Sequence, residues 1–332
     1  MLIKDIMPGF ELFQPTQLKD ALALLDRYGK DGWKMSGGYD SLSWFKERAK
    51  KPKAVIDLSG VAEMKGIRET PEGIDIGALS TLTEIERHPV IRAKFRLLAD
   101  AASRVASPQI RNAGTIGGNA SQDARCWYYR SGLPCYRAGG NTCFADTPQG
   151  VNREHALFDT DRCVAVTPSD TAPALVALDA RFVVKSSKGE RVLSYDQFFI
   201  GPKTDITRMT SLAHEEILTA IRISNDWAGA HFYFEKVADR DAWDFPLVNV
   251  AAAMTVKNGV VENCRIACGG VSATPRRLVA VEGIVKGKPL SADIAKLAGQ
   301  SATRGASPLN YNQFKIPLMA NLVTRAVRDA RA

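Results

Sequence analysis

Four cysteines, Cys126, Cys135, Cys143 and Cys163, fall in one irregular stretch with the spacing C-x8-C-x7-C-x19-C. Residues 144–162, inside the longest gap, are rich in Asp, Thr, Pro, Gln, Gly and Asn, so no helical or strand period runs through them. A structureless loop of that length within a compact domain needs something to hold it, and a bound metal supplies a reason. Four thiolates suit either a tetrahedral zinc or an iron–sulfur cluster. Structural zinc usually shows C-x2–4-C knuckles, which are missing here. The open spacing favours a [4Fe–4S] cluster over zinc or over unliganded thiols. His155 lies in the same loop, but four cysteines already complete a site.

The other two cysteines read differently. Cys264 and Cys268 share one face of an expected strand with Ile266 and pack as small apolar residues. Six cysteines in 332 residues are too few for a disulfide scaffold. The chain begins Met1-Leu2-Ile3-Lys4-Asp5, which breaks any apolar signal at once, and nothing approaches the ~18 apolar residues of a membrane span. A cytoplasmic protein is expected, with export inside a partner that carries a signal left open. The net charge of +8 raises the question of nucleic acid. Its basic residues are scattered, with small clusters at 46–53 and at Arg276-Arg277, and form no stripe interleaved with aromatics. Nucleic acid is therefore not expected; a solvated surface or a basic face toward acidic partners is.

The chain's length suggests two domains. Short α/β units come first: a helix over 16–28 with Thr16 at its cap, a strand entering a glycine turn at 33–42, a strand over 54–58 and another over 73–78. Helices are expected over 83–86, 90–103 and 171–179, and a strand over 182–185. The boundary is placed at 205/206. The C-terminal half reads as an antiparallel sheet with covering helices: strands over 232–237 and 260–269, an apolar run over 247–256, and helices from Ser291 and Leu318.

Two glycine turns stand out, Gly37-Gly38 followed by Asp40-Ser41, and Gly117-Gly118 within Thr115-Ile116-Gly117-Gly118-Asn119. Each can bring backbone N–H groups close to an anion, though a Gly-Gly pair is commonly only a turn. Neither is the G-x-G-x-x-G fingerprint, so no Rossmann fold is expected. Ser169-Asp170 reads alone as a helix N-cap, and Lys236, Arg240, Asp244 and Phe245 as a charged hairpin. No G-x-S-x-G, H-E-x-x-H or paired-carboxylate signature is present.

Taken in order, Met35-Ser36-Gly37-Gly38-Tyr39-Asp40-Ser41-Leu42, Thr115-Ile116-Gly117-Gly118-Asn119, Pro168-Ser169-Asp170, Glu216-Ile217-Leu218, Lys236-x3-Arg240-x3-Asp244-Phe245 and Gly269-Gly270-Val271-x3-Pro275 form a specific set. It resembles the FAD-binding medium subunit of the molybdenum hydroxylases, the xanthine dehydrogenase and carbon monoxide dehydrogenase family, from about residue 6 to 325. The resemblance implies an α+β fold: a two-lobed, PCMH-like FAD-binding domain over 1–205 (lobes about 1–58 and 59–205), then a C-terminal domain over 206–332. It implies that Met35 to Leu42 and Thr115 to Asn119 clasp the FAD pyrophosphate. Val105, Asp170, Leu218 and Lys236 are expected to touch FAD as well. Tyr39 departs from the family, which commonly has a small residue there.

The family usually passes from Gly-Gly-Asn to Ser-Asp in about ten residues. Here the interval is far longer and holds all four clustered cysteines, an insertion over about 120–166. That resembles the [4Fe–4S]-bearing branch, the aldehyde oxidoreductases and 4-hydroxybenzoyl-CoA reductase, with the spacing closer to the aldehyde oxidoreductase type. The implied function is electron transfer between a [2Fe–2S] small subunit serving a molybdopterin-binding large subunit and an external electron carrier. In a reductase the flow runs inward. A zinc-stapled nucleotide-binding scaffold is the expectation of a different class. The insertion is expected to be a separable loop at the surface of the FAD domain.

Overall fold

The structure is a computed structural model that describes residues 7–330. Its chain forms three sheets with helices packed against them. In the first, β1 (Glu11–Phe13), β2 (Gly32–Met35) and β3 (Ala54–Asp57) lie parallel in the order β1-β3-β2. The helix Leu18–Tyr28 makes the crossover, burying Leu18, Ala21, Leu22 and Leu25 along one stripe. It starts two residues later than the sequence suggests: Gln17 holds the cap position, Thr16 does not, and no side chain caps it.

The second sheet is antiparallel throughout. It is built from β4 (Ile67–Thr70), β5 (Gly73–Gly77), β6 (Arg181–Ser186), β7 (Gly189–Leu193) and β8 (Ile217–Ser224), in the order β4-β5-β8-β6-β7. β8 lies at the centre of this sheet, beyond the boundary expected at 205/206. Its backbone pairs with both β5 and β6, so this half of the chain runs on to residue 224. The helix expected over 90–103 is two helices, Pro89–Lys94 and Arg96–Ser103, because Phe95 leaves the helical region at φ −135°.

The third sheet contains β9 (His231–Val237), β10 (Val248–Lys257), β11 (Val260–Gly269) and β12 (Arg276–Arg277), antiparallel in the order β12-β11-β10-β9. The helices Val279–Val285, Ala292–Ala302 and Lys315–Asp329 cover one face. Ser291 Oγ caps the second by accepting from Ile294 N at 3.3 Å. Cys264 and Cys268 are buried on β11 within this core, as the strand pattern indicates.

The cysteine-bearing insertion is not a separable loop. Tyr129 and Cys135 join Trp44, Phe45 and Val55 of the first lobe in one apolar cluster. Leu157 and Phe158 belong to the core of the C-terminal domain instead. Leu157 N donates to Val271 O at 2.8 Å, and Ser307 N donates to Leu157 O at 2.8 Å. Lys315, fully buried at the start of the last helix, donates its ammonium to the carbonyls of His155 (3.0 Å) and Gly270 (2.8 Å). Apolar burial and backbone pairing at both ends fix the segment more firmly than its polar composition suggests.

Leu157→Ala is expected to lower global stability by about 2–5 kcal/mol, the cost of a cavity in a packed core. Chemical denaturation measures it. A change below about 0.5 kcal/mol would mean that the insertion folds apart from the C-terminal domain.

Candidate functional site

The two glycine turns press on each other. A Cβ on Gly37 would lie 2.3 Å from Ala113 O and 2.9 Å from Gly114 Cα. One on Gly118 would lie 2.8 Å from Ser36 Oγ, and one on Gly117 2.7 Å from Ala78 Cβ. Only glycine permits these backbones so close together. Gly38 has a different requirement, a left-handed backbone at φ +82°, after which the helix Tyr39–Lys46 begins. Tyr39 to Leu42 are thus its first turn, not a continuation of the glycine turn.

The turns differ in what they offer an anion. In the second, Ile116 N donates to Ser80 O, Gly117 N to Ala78 O, and Gly118 N to Thr115 Oγ1 at 3.1 Å. In the first, the amides of Gly38, Tyr39, Asp40 and Ser41 have no partner among the described residues. These are the orphan donors of a helix start. Both turns line a cavity of about 440 Å³, closed on other sides by Val105, Asp170, Trp243 and Phe245. They also border a second cavity of about 740 Å³, lined by Met35, Gly117 and Leu218. Thr115, Ser36 and Gly118 lie on the wall common to the two.

Asn119 turns its carbonyl inward, accepting from Ser169 Oγ at 2.7 Å and Thr171 Oγ1 at 2.6 Å. Ile116 is fully buried beneath the turn. Asp170 does not cap the helix Thr171–Ala177. Ser169 Oγ does so, accepting from Ala172 N at 3.1 Å. Asp170 is instead buried beside Lys236, with Oδ2 2.6 Å from Nζ, and accepts from Asn249 Nδ2 at 3.1 Å. Burial raises this carboxyl to about 6 against the opposing pull of Lys236 and Asn249. Lys236 also donates to Arg104 O (3.0 Å) and Asp244 O (2.6 Å), tying the helical and C-terminal sides of the cavity together. It is a buried strand residue that lines neither cavity and reaches the first through Asp170, so the solvated hairpin expected there begins beyond it.

Sequence reasoning missed several lining residues. Trp33 and Lys34 come from β2, and Trp243 stands exposed at the cavity's rim. Trp243 is held at φ +70°, with its N–H donating to Ala106 O at 2.8 Å. Arg125, within the insertion, lines the same cavity. Tyr39 is half exposed at that wall and makes no ring contact among the described residues.

The four clustered cysteines meet around a space of only about 20 Å³, with His155 and Arg137 beside them. His155 Nε2 lies 3.3 Å from Cys126 Sγ. Burial pushes the Cys126 thiol up to about 11 and raises Cys163, while it lowers His155 to about 4. Among the described residues, no three His, Cys, Asp or Glu side chains are arranged to hold one metal ion. The donor set suits iron and sulfide, but the space holds roughly one water, so the thiols must swing outward to admit a cluster. No helix among the described residues is long and apolar enough to cross a membrane.

Residues 8–225 match the family model described as the FAD binding domain in molybdopterin dehydrogenase, and residues 233–330 that of the CO dehydrogenase flavoprotein C-terminal domain. The chain belongs to this family of FAD-binding subunits. It is 28% identical to the carbon monoxide dehydrogenase medium chain of Hydrogenophaga pseudoflava over 98% of this chain and 99% of that one. It is 30% identical to the aldehyde oxidoreductase FAD-binding subunit of Escherichia coli K12, over 90% and 91% of the two chains. A solved carbon monoxide dehydrogenase from Hydrogenophaga pseudoflava superposes with a TM-score of 0.77 at 27% identity, covering 98% of each chain. The protein is accordingly an oxidoreductase component with FAD as its cofactor.

Two outcomes test the site's construction. Gly37→Ala places a methyl against a backbone carbonyl that cannot move alone. It is expected to cost about 1–3 kcal/mol and to release FAD during purification. Asp170 is expected to give a pH signature. Its folded value near 6 exceeds the ordinary 3.8, so the folded chain binds more protons between the two. Its contribution to stability is full below about 4 and is lost as pH rises through 6. Relative to Asp170→Asn, the wild type should lose thermal stability as pH rises from 4 to 7; a constant difference would mean no shift.

Proposed function

We propose that this chain is the FAD-carrying electron-transfer subunit of a molybdenum-containing hydroxylase complex. The observation that carries the reading is the pair of cavities meeting at two interlocked glycine turns, one of which has unspent amides. A dinucleotide has this shape, a charged pyrophosphate between two ring systems. Met35, Ser36, Gly37, Gly38, Tyr39, Asp40, Ser41 and Leu42 would face the pyrophosphate from one side. Thr115 to Asn119 would face it from the other. The first turn supplies most of the donors, and the second supplies shape. Val105, Asp170 and Lys236 would hold one ring system, and Leu218 the other. Bound FAD supplies the redox chemistry; these side chains bind it, orient it and exclude water. The FAD-binding half is taken as the two lobes through residue 224, with the C-terminal domain from residue 231.

The partners proposed are a molybdopterin-binding large subunit, a [2Fe–2S] small subunit and an external electron carrier. Relatives described as medium chains or medium subunits support that placement. Aldehyde oxidation is the proposed activity of the complex, supported by 30% identity to an aldehyde oxidoreductase subunit. A [4Fe–4S] cluster on Cys126, Cys135, Cys143 and Cys163 belongs to the same reading. Its support is the convergence of four thiols, drawn from a segment nearly free of regular structure, on one enclosed space. A cube also spreads its cysteine sulfurs further apart than a single ion does, so the lack of a single-ion arrangement bears on zinc more than on a cluster.

The purified full chain is expected to show flavin absorption above a broad iron–sulfur shoulder, and to contain iron and acid-labile sulfide. Cys135→Ser should lose the iron and keep the flavin. Flavin without iron in the wild type would remove the cluster and leave the flavoprotein; a colourless protein would remove both.

A further inference from the structure

The lining around the two turns holds more carboxylates than cations, while the pyrophosphate of FAD carries two negative charges of its own. Among the residues lining the 440 Å³ cavity, the cations are Lys34 and Arg125, set against Asp40, Asp123, Asp170 and Asp244. Lys34 is fully engaged: its ammonium donates to the carbonyls of Ala213 (2.7 Å), His214 (3.2 Å) and Glu216. Arg125 is not. Its Nη1 meets Asp40 Oδ1 at 2.8 Å, in the first turn of the helix that carries the free amides. Its guanidinium lies over the Phe245 ring at 4.9 Å, and its buried Nε has no acceptor among the described residues. The Nε itself is shut away from the cavity, but the guanidinium lines it with a single hydrogen bond among the described residues, so an anion there would meet a charge that is poorly compensated.

We propose that Arg125 is the counter-charge for the FAD phosphates, supplied by the cysteine-bearing insertion. Asp40 and Phe245 hold the guanidinium plane from the first lobe and the C-terminal domain, so that its remaining donors turn to the cavity. A planar fork suits phosphate oxygens better than a lysine ammonium does. The insertion therefore contributes to the flavin site directly. This inference rests on FAD occupying the cleft.

The test uses the full chain, stripped of flavin and titrated with FAD. Arg125→Gln should weaken FAD binding about ten- to hundred-fold, the range for a lost hydrogen bond to a charged group. Arg125→Lys should fall between. The apo-protein's melting temperature should stay near that of the wild type in both variants. FAD affinity of the wild type should also fall more steeply with salt than that of Arg125→Gln. Unchanged affinity, an equal salt slope, or a loss of affinity matched by a fall in apo melting temperature would each overturn the assignment. If the wild type takes up no FAD, the flavoprotein reading itself fails, a result distinct from any of these.

Discussion

Everything at the site depends on the close contact of the two glycine turns, backbone on backbone at Gly37 and backbone on the Ser36 hydroxyl at Gly118. Gly37 lies against Ala113 and Gly114, Gly118 against Ser36, and Gly117 against Ala78. That contact joins the parallel three-stranded lobe to the antiparallel five-stranded one, and it leaves a cleft on each side of the seam. Glycine here answers a steric demand first. The phosphate-facing amides follow from the packing, because a helix begins directly after Gly38 and has no internal acceptor for its first N–H groups. A substitution at the seam disturbs the relation between lobes and the ligand site together.

The insertion completes this arrangement. Its first part carries Arg125 to Asp40 and Asp123 to Lys50 (3.0 Å), so it leans on the first lobe, while Asp123 also pairs with Arg137 within the insertion. Its last part enters the C-terminal core through Leu157 and Phe158. Arg153 reaches Asp239 with two bonds of 2.7 Å, just past the end of β9. A segment anchored in three places is a brace, and its thiols sit at the middle of the brace.

Much of this was legible in the chain. The glycine turns and Asp170, singled out in the sequence, line one cavity, Lys236 is bonded to Asp170 behind its wall, and the four cysteines surround a separate small space. Strands with strong apolar runs, such as Val248–Lys257, were visible for the same reason: burial on both faces leaves a plain signature. Edge strands were not. Ile67–Thr70 and Gly189–Leu193 are short and largely exposed, so they show little apolar periodicity. That the five-stranded sheet reaches past residue 205 has a topological cause. Ile217–Ser224 follows a long irregular passage, yet pairs with Gly73–Gly77 from far earlier in the chain, and no local pattern reports such a partner. Arg125 was missed because a lone arginine beside a cysteine carries no motif; only the folded positions of Asp40 and Phe245 give it meaning.

The basic balance of the chain also gains a physical account. Three lysines, of which only Lys236 is marked by a motif in the sequence, serve as internal staples. Lys34 binds the carbonyls of 213, 214 and 216, Lys236 those of 104 and 244, and Lys315 those of 155 and 270. Each joins segments distant in sequence, and each spends its donors on backbone oxygens that burial would otherwise leave unmet. Burial lowers Lys34 to about 8 and Lys315 to about 7, against the opposing pull of Glu216 and Glu215 on the first and of Glu154 on the second. Part of the net charge of +8 is therefore interior. It contributes to the joining of lobes, and correspondingly less to a surface field that would draw in a polyanion.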